Sequence, residues 1–91
     1  IEALAEHAQK NNIKLFFLMT PDFHNLIDYP FLFIHSKMKD ISIKNGIPFL
    51  DLLPYFEGIP KEEIWAMPGD PHPNQIGHEI MASAIKDNFN F

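Results

Sequence analysis

Two short apolar runs limit the folds open to this chain more than any single residue does. Residues 13–19 (IKLFFLM) and residues 47–53 (IPFLDLL) have the length of strands, and neither alternates polar with apolar positions. Such runs are typical of strands covered on both faces, as in a parallel sheet. Between them, four apolar residues recur at the spacing of one helix face: Phe31, Ile34, Met38 and Ile41. The order strand, helix, strand predicts a parallel pair joined by a right-handed crossover.

The remaining sequence predicts two more helices and one long connection. Residues 1–11 show the apolar spacing of a helix that an Asn-Asn pair ends, and residues 75–88 form another helix, with Asn74 as its N-cap. The stretch 54–73 is rich in proline and glycine and predicts an irregular connection, unless a short helical turn forms at residues 61–65. A connection of that length in a compact domain usually serves a function.

The predicted two-stranded sheet has too few neighbouring strands and helices to be buried on both faces. A parallel sheet that is buried on both faces normally has several strands, with helices on each side. Two strands and three helices cannot achieve this alone, so we expect an α/β fold in which residues 1–91 are the C-terminal part of one three-layer α/β/α domain. Open sheet edges and uncovered faces would favour self-association of such a part in isolation.

The amino-acid composition restricts the classes of partner that this chain is expected to bind. The chain has seven lysines, no arginine and twelve acidic residues, for a net charge of -5. Without a basic stripe or a guanidinium clamp for phosphates, nucleic-acid binding is not expected. The absence of cysteine excludes disulfides, thiolate metal sites and cysteine nucleophiles within these residues. No apolar run approaches the ~18 residues of a membrane span, so no transmembrane segment is expected.

The segment 67–78 (MPGDPHPNQIGH) carries the clearest chemistry. Pro71 and Pro73 push the residues before them, Asp70 and His72, into extended conformations. In an extended chain, positions i and i+2 project to the same side, so the carboxylate and the imidazole are predicted to be neighbours. A carboxylate beside an imidazole fixes its tautomer and stabilises the imidazolium that forms when histidine takes a proton. The segment therefore predicts two of the three members of a hydrolytic triad.

This segment resembles the last conserved block of the SGNH or GDSL-type hydrolases, which include esterases, lipases and O-acyl deacetylases or transferases. In that family an Asp and a His precede the C-terminal helix, often followed by Pro-Asn-x-x-Gly-(His/Tyr). The matching positions are Asp70, His72-Pro73-Asn74 and Gly77-His78. One residue separates Asp from His here, whereas two are commoner in the family. The order of the preceding strands and helix is also similar, so the resemblance extends loosely over nearly the whole chain.

The resemblance implies a flavodoxin-like α/β/α fold and a serine esterase that needs no cofactor or metal. His72 would be the general base and Asp70 the acid that orients it, acting on an ester of a small molecule, carbohydrate or lipid. The family's nucleophile lies in an N-terminal Gly-Asp-Ser motif. The three serines of this chain lie in other contexts: Ser36, Ser42 and Ser83. The nucleophile is therefore expected upstream, and these residues alone are expected to be inactive.

Two other interpretations stay open. The chain could be a non-catalytic α/β interaction domain in which the proline-rich segment is only a rigid connection or a partner-binding surface. A metal site using Asp70, His72 and His78 is the other alternative, although the spacing matches neither His-Glu-x-x-His nor an EF-hand loop. The position of His78 at the edge of the last helix's apolar face favours a packed boundary residue.

Acidic residues and a histidine also follow the two strands. Asp22 and His24 come after the first strand, and Asp51 lies near the end of the second. Parallel sheets place their sites at these strand ends. Ordinary loop, turn and cap roles are nevertheless common for such residues, and the sequence favours those roles over substrate contact.

Overall fold

The computed structural model describes residues 1–89; the last two residues of the predicted domain lie outside that range. Helices and short strands are mixed along the chain, in agreement with an α/β protein. In order, the elements are α1 (Glu2–Lys10), β1 (Phe17–Met19), α2 (Leu32–Lys44), β2 (Phe49–Asp51), a 3-10 turn (Leu53–Phe56), α3 (Lys61–Ile64), β3 (Trp65–Met67), β4 (Asp70–Pro73) and α4 (Gln75–Asn88). No helix within residues 1–89 is both long enough and apolar enough to cross a bilayer.

Strands β1 and β2 form the predicted parallel pair. Phe17 lies beside Phe49 and Met19 beside Asp51, and α2 connects the two strands. Each strand is three residues long, which is shorter than the apolar run that predicted it. Pro48 has no N–H to extend the ladder, and its carbonyl accepts from the N–H of Phe17. Regular pairing therefore begins only after Pro48.

The β1–β2 pair has helices against opposite faces. On one face Asp51 bonds to His35 of α2. On the other face Leu50 lies in the core with Ala84 of α4. Leu18, the neighbour of Leu50 in β1, is 40% exposed. Burial on both faces was predicted for both strands, but Leu50 is their one buried residue: Phe17, Met19, Phe49 and Asp51 on the opposite face are half-buried, and the described residues leave Leu18 exposed.

A buried apolar core joins the sheet to the segments that follow each strand. It consists of Phe23, Leu50, Leu52, Phe56, Ile64 and Ala84. The rings of Phe23 and Phe56 meet edge to face, with centroids 4.9 Å apart. Phe23 anchors the loop after β1, and Ile64 anchors the chain just before β3. The core thus fixes the two segments that carry Asp-x-His sequences.

The proline-rich connection is more regular than its composition predicts. The short helical turn expected at residues 61–65 is present as α3. The prediction missed the antiparallel hairpin that follows, in which Trp65 pairs with Pro73 and Met67 with Asp70. Gly69 adopts φ +81° at the turn, a conformation that L side chains rarely adopt. The hairpin delivers Asp70 and His72 on a strand rather than on a loop.

Candidate active site

Asp70 and His72 form a hydrogen-bonded pair on β4, which we name the His72 pair. The predicted proximity on one side of an extended segment is observed. Oδ1 of Asp70 lies 2.5 Å from Nδ1 of His72 and accepts the backbone N–H of His72 at 3.1 Å. These two hydrogen bonds, led by the one to the ring, hold the pKa of Asp70 below its ordinary value. The side chain of His72 is 83% exposed, so Nε2 is accessible.

Asn74 attaches the strand that carries the His72 pair to the rest of the fold. Its Oδ1 accepts the N–H of Gly77 at 3.0 Å, which confirms the predicted N-cap of α4. Its Nδ2 donates to the carbonyls of Glu63 and Trp65, at 2.7 and 3.2 Å. One side chain therefore joins the end of β4, the start of α4 and the junction of α3 with β3.

Gly77 lets α4 approach the residue that directly follows His72. A Cβ atom built on Gly77 would lie 2.9 Å from Cβ of Pro73, closer than real Cβ contacts allow. Any side chain at this position would push α4 away from β4. The glycine of the Pro-Asn-x-x-Gly sequence therefore has a packing role in positioning His72.

The loop after β1 holds a second pair with the same geometry, Asp22 and His24, which we name the His24 pair. Oδ1 of Asp22 lies 2.6 Å from Nδ1 of His24 and accepts its backbone N–H at 2.9 Å. These contacts lower the pKa of Asp22, chiefly through the backbone hydrogen bond. The loop role expected of Asp22 is confirmed. Its second role, holding the His24 ring, was not predicted.

His35 and Asp51 form a third pair, in which the histidine is buried and the aspartate is half-buried. Nδ1 of His35 lies 2.8 Å from Oδ1 of Asp51, and that oxygen also accepts the N–H of Leu53, the turn role expected of Asp51. Nε2 of His35 lies 2.8 Å from the hydroxyl of Tyr29, which accepts the N–H of Asp22 at 2.9 Å. A neutral imidazole with its proton on Nδ1 satisfies every bond in this chain, because Tyr29 can then donate to Nε2.

This hydrogen-bond chain connects the end of β2 to the backbone of the His24 pair. Burial raises the pKa of the Tyr29 hydroxyl, so the phenol stays protonated and can donate at neutral pH. This network was not predicted from the sequence, because only the apolar residues of α2 were used to predict its buried face. The buried residues of α2 are His35 and Ser42, spaced by two helical turns beside the apolar stripe. The seven-residue spacing between His35 and Ser42 was the sequence signal that could have predicted a buried polar contact.

Both residues of the His24 pair and His72 itself line one cavity of about 440 Å³. His78, expected as a packed boundary residue, is exposed and also lines the cavity. The other lining residues are mostly apolar: Thr20, Pro21, Phe23, Pro71, Pro73 and Met81. Nε1 of Trp65 donates to the carbonyl of Phe23 at 2.7 Å, which ties the β3–β4 hairpin to the loop that carries His24. The two pairs are therefore held on facing segments of one framework.

The chemistry available at this cavity is acid–base chemistry. Each exposed imidazole has a carboxylate on Nδ1, which leaves Nε2 to accept a proton or a hydrogen bond. The three serines lie elsewhere, since Ser42 is buried in α2 while Ser36 and Ser83 are exposed on helices away from the cavity lining. Among residues 1–89, no group of three or more histidine and acidic side chains is arranged to hold a metal ion.

No protein-family model, curated protein or solved structure matches this chain. The interpretation of the cavity therefore depends on its own geometry. Two features define it: a pair of exposed imidazoles that are each bonded to a carboxylate, and a position next to the carboxyl end of β1.

Proposed function

We propose that this chain is the Asp- and His-bearing part of a serine ester hydrolase of the SGNH or GDSL type, with the nucleophilic serine upstream of residue 1. His72 is the general base and Asp70 orients it. The observation that carries this proposal is the bond between Oδ1 of Asp70 and Nδ1 of His72, combined with an exposed Nε2 at the cavity. The match of this segment to the family's last block supports the choice of His72.

The reaction follows from the protonation pattern of the His72 pair. In the neutral imidazole whose Nδ1 proton is held by Asp70, Nε2 is unprotonated and takes the proton of the attacking serine hydroxyl. Asp70 stabilises the imidazolium that results. Nε2 then returns the proton to the leaving alkoxide, and an acyl-enzyme remains. In the second half of the reaction, Nε2 takes a proton from the acceptor, which is water or another hydroxyl, as the acceptor oxygen attacks the acyl carbon. The bond from the acyl carbon to the serine oxygen breaks, and Nε2 returns the proton to that oxygen.

The wider three-layer fold is part of the same proposal. Helix α2 bonds to one face of the β1–β2 pair through His35 and Asp51, and Leu50 on the opposite face belongs to the same core as Ala84 of α4, an arrangement that an α/β/α sandwich would have. The 40% exposure of Leu18 is consistent with a further strand or helix covering β1 in the full-length protein. The cavity lies beyond the carboxyl end of β1, where open parallel sheets place their ligands.

The direct test is covalent labelling of the full-length protein with a fluorophosphonate probe that reacts with activated serines. We expect labelling of one serine upstream of this chain, slowed by about 10² to 10⁴-fold in His72→Ala, the range of general-base contributions. Asp70→Asn should also slow labelling, because it removes the carboxylate that fixes the tautomer. His7→Ala is the matched control, since His7 is exposed on α1 and outside the cavity lining.

Three results would count against the proposal. A folded full-length protein without a labelled serine would contradict the hydrolase function and favour the interaction-domain alternative. Labelling that is indifferent to His72 would remove its role as general base. A loss of labelling in His24→Ala but not in His72→Ala would place the base in the other pair.

A further inference from the structure

The His24 pair repeats the His72 pair in both sequence and geometry. Both are Asp-x-His, and in both the Asp Oδ1 accepts two hydrogen bonds from the histidine. The Oδ1 to Nδ1 distances are 2.6 Å in the first and 2.5 Å in the second. Ester hydrolysis needs one general base, so the function proposed for His72 leaves the second oriented imidazole without a role.

Burial separates these two pairs from the third one. In the pair of His35 and Asp51, His35 is 3% exposed and its Nε2 is already bonded to Tyr29. The side chain of His24 is 70% exposed, and within residues 1–89 its Nε2 has no hydrogen-bond partner. His24 thus has a ring nitrogen that is oriented by the fold and open to a ligand in the cavity.

The loop that carries His24 is fixed from three sides. Tyr29 bonds to the backbone N–H of Asp22, and Trp65 bonds to the carbonyl of Phe23. The Phe23 side chain is 6% exposed and packs on Phe56. Groups held this way lose little conformational entropy when they bind a ligand.

We infer that His24 is a substrate-positioning residue whose Nε2 accepts a hydrogen bond from a free hydroxyl on the alcohol part of the ester, next to the bond that His72 helps to cleave. This inference rests on the proposed function. The substrate class is then an ester of a polyhydroxy alcohol, such as a sugar or glycerol. The proline, phenylalanine and methionine side chains of the cavity suit the C–H surfaces and the acyl group of such a compound.

The hydrogen-bond pattern decides between a hydroxylated and a plain alkyl ester. In the neutral imidazole that donates Nδ1–H to Asp22, Nε2 of His24 is an acceptor and requires a donor from the ligand. An alkyl ester has no donor near the scissile bond and would desolvate Nε2 without replacing its bond to water. A site built to bond a hydroxyl discriminates strongly against the analogue that lacks it.

The test compares two acetate esters with the same three-carbon skeleton in the full-length protein: 1-acetylglycerol, which has free hydroxyls, and propyl acetate, which has none. Acetate release gives kcat/KM for each. We expect His24→Ala to lower the ratio of kcat/KM for 1-acetylglycerol to that for propyl acetate by about 10-fold or more. His24→Gln, whose amide oxygen can occupy the position of Nε2, should recover part of that ratio. His7→Ala should leave the ratio unchanged.

The outcomes distinguish a failure of the His24 inference from a failure of the proposed hydrolase function. If fluorophosphonate labels a serine but the ratio is unchanged in His24→Ala, the inference is wrong while the hydrolase function stands. An equal fall for both esters, with no recovery in His24→Gln, would mean that His24 is merely structural and would overturn the inference. Labelling without hydrolysis of 1-acetylglycerol would overturn the substrate class. If no serine is labelled, the proposed function fails, and the inference fails with it.

Discussion

Replacing Tyr29 with phenylalanine tests the hydrogen-bond chain that supports the His24 pair. The substitution removes only the hydroxyl, so two partners lose a bond: the N–H of Asp22 and Nε2 of His35. The ring contacts remain, because the phenylalanine ring can still meet Phe31 and His35, whose centroids lie 5.7 and 5.2 Å away. No cavity forms, and the cost comes from unsatisfied polar groups alone.

The burial of the Asp22 N–H and of Nε2 of His35, which both lose a hydrogen-bond partner, determines how much stability is lost. A buried polar group without a partner costs about 1 to 3 kcal/mol. The Asp22 N–H is only partly buried and can recruit water, so it contributes about 1 kcal/mol. His35 is 3% exposed, so its Nε2 contributes about 2 kcal/mol. Tyr29→Phe should therefore lower the free energy of unfolding by about 3 kcal/mol.

Tyr55→Phe is the matched control for this experiment. The Tyr55 hydroxyl accepts from Asn88 Nδ2, which also donates to a backbone carbonyl, and Tyr55 is 40% exposed. Its loss should cost no more than about 0.5 kcal/mol. Urea unfolding of both variants measures the difference, and amide exchange at Asp22 reports the loop directly. Equal stability of the two variants, with unchanged exchange at Asp22, would refute the reasoning.

Three further predictions concern the support of the His72 pair and the aspartates of both exposed pairs. Asn74→Ala should lose about 1 to 2 kcal/mol in urea unfolding because it removes the cap of α4, and a loss below about 0.3 kcal/mol would show that the cap is dispensable. Gly77→Ala should destabilise the protein by about 1 to 2 kcal/mol through overpacking against Pro73, despite alanine's helix propensity; a more stable variant would contradict this. The lowered pKa values of Asp22 and Asp70 mean that their contribution to stability is complete above the ordinary aspartate value of about 3.9 and is lost as pH falls through the lowered values. The variant with Asn at both positions should accordingly lose less stability than the parent between pH 4 and pH 2, and parallel pH profiles would argue against these pKa shifts.

Local signals account for what the sequence predicted well. The cap of α4 depends on Asn74 and on the first turn after it, and Gly46 after α2 has the positive φ of a C-terminal glycine, +68°. The proximity of Asp70 to His72 follows from two prolines within four residues. The parallel pairing of β1 with β2 depends only on the order of the elements, which the apolar spacing revealed.

Two of the three features that were not predicted from the sequence depend on residues far apart in the chain. The β3–β4 hairpin is held partly by Asn74 bonding back to the carbonyls of Glu63 and Trp65, which no short window contains. The pair of His35 and Asp51 joins residues sixteen positions apart. The His24 pair has the same spacing as the His72 pair, but no proline separates its two members, so its geometry had no comparable local signal.

The bond from Trp65 to the carbonyl of Phe23 has a spectroscopic consequence. Trp65 is the one tryptophan of this sequence, and its indole N–H bridges the hairpin to the loop that carries His24. The Nζ of Lys61 lies 5.1 Å from the centroid of the same ring, so the indole also has a nearby positive charge. Any ligand that separates the two histidine segments, or draws them together, alters the hydrogen bond and the local field of this ring. The wavelength and intensity of its emission would therefore follow the width of the cavity without an added label.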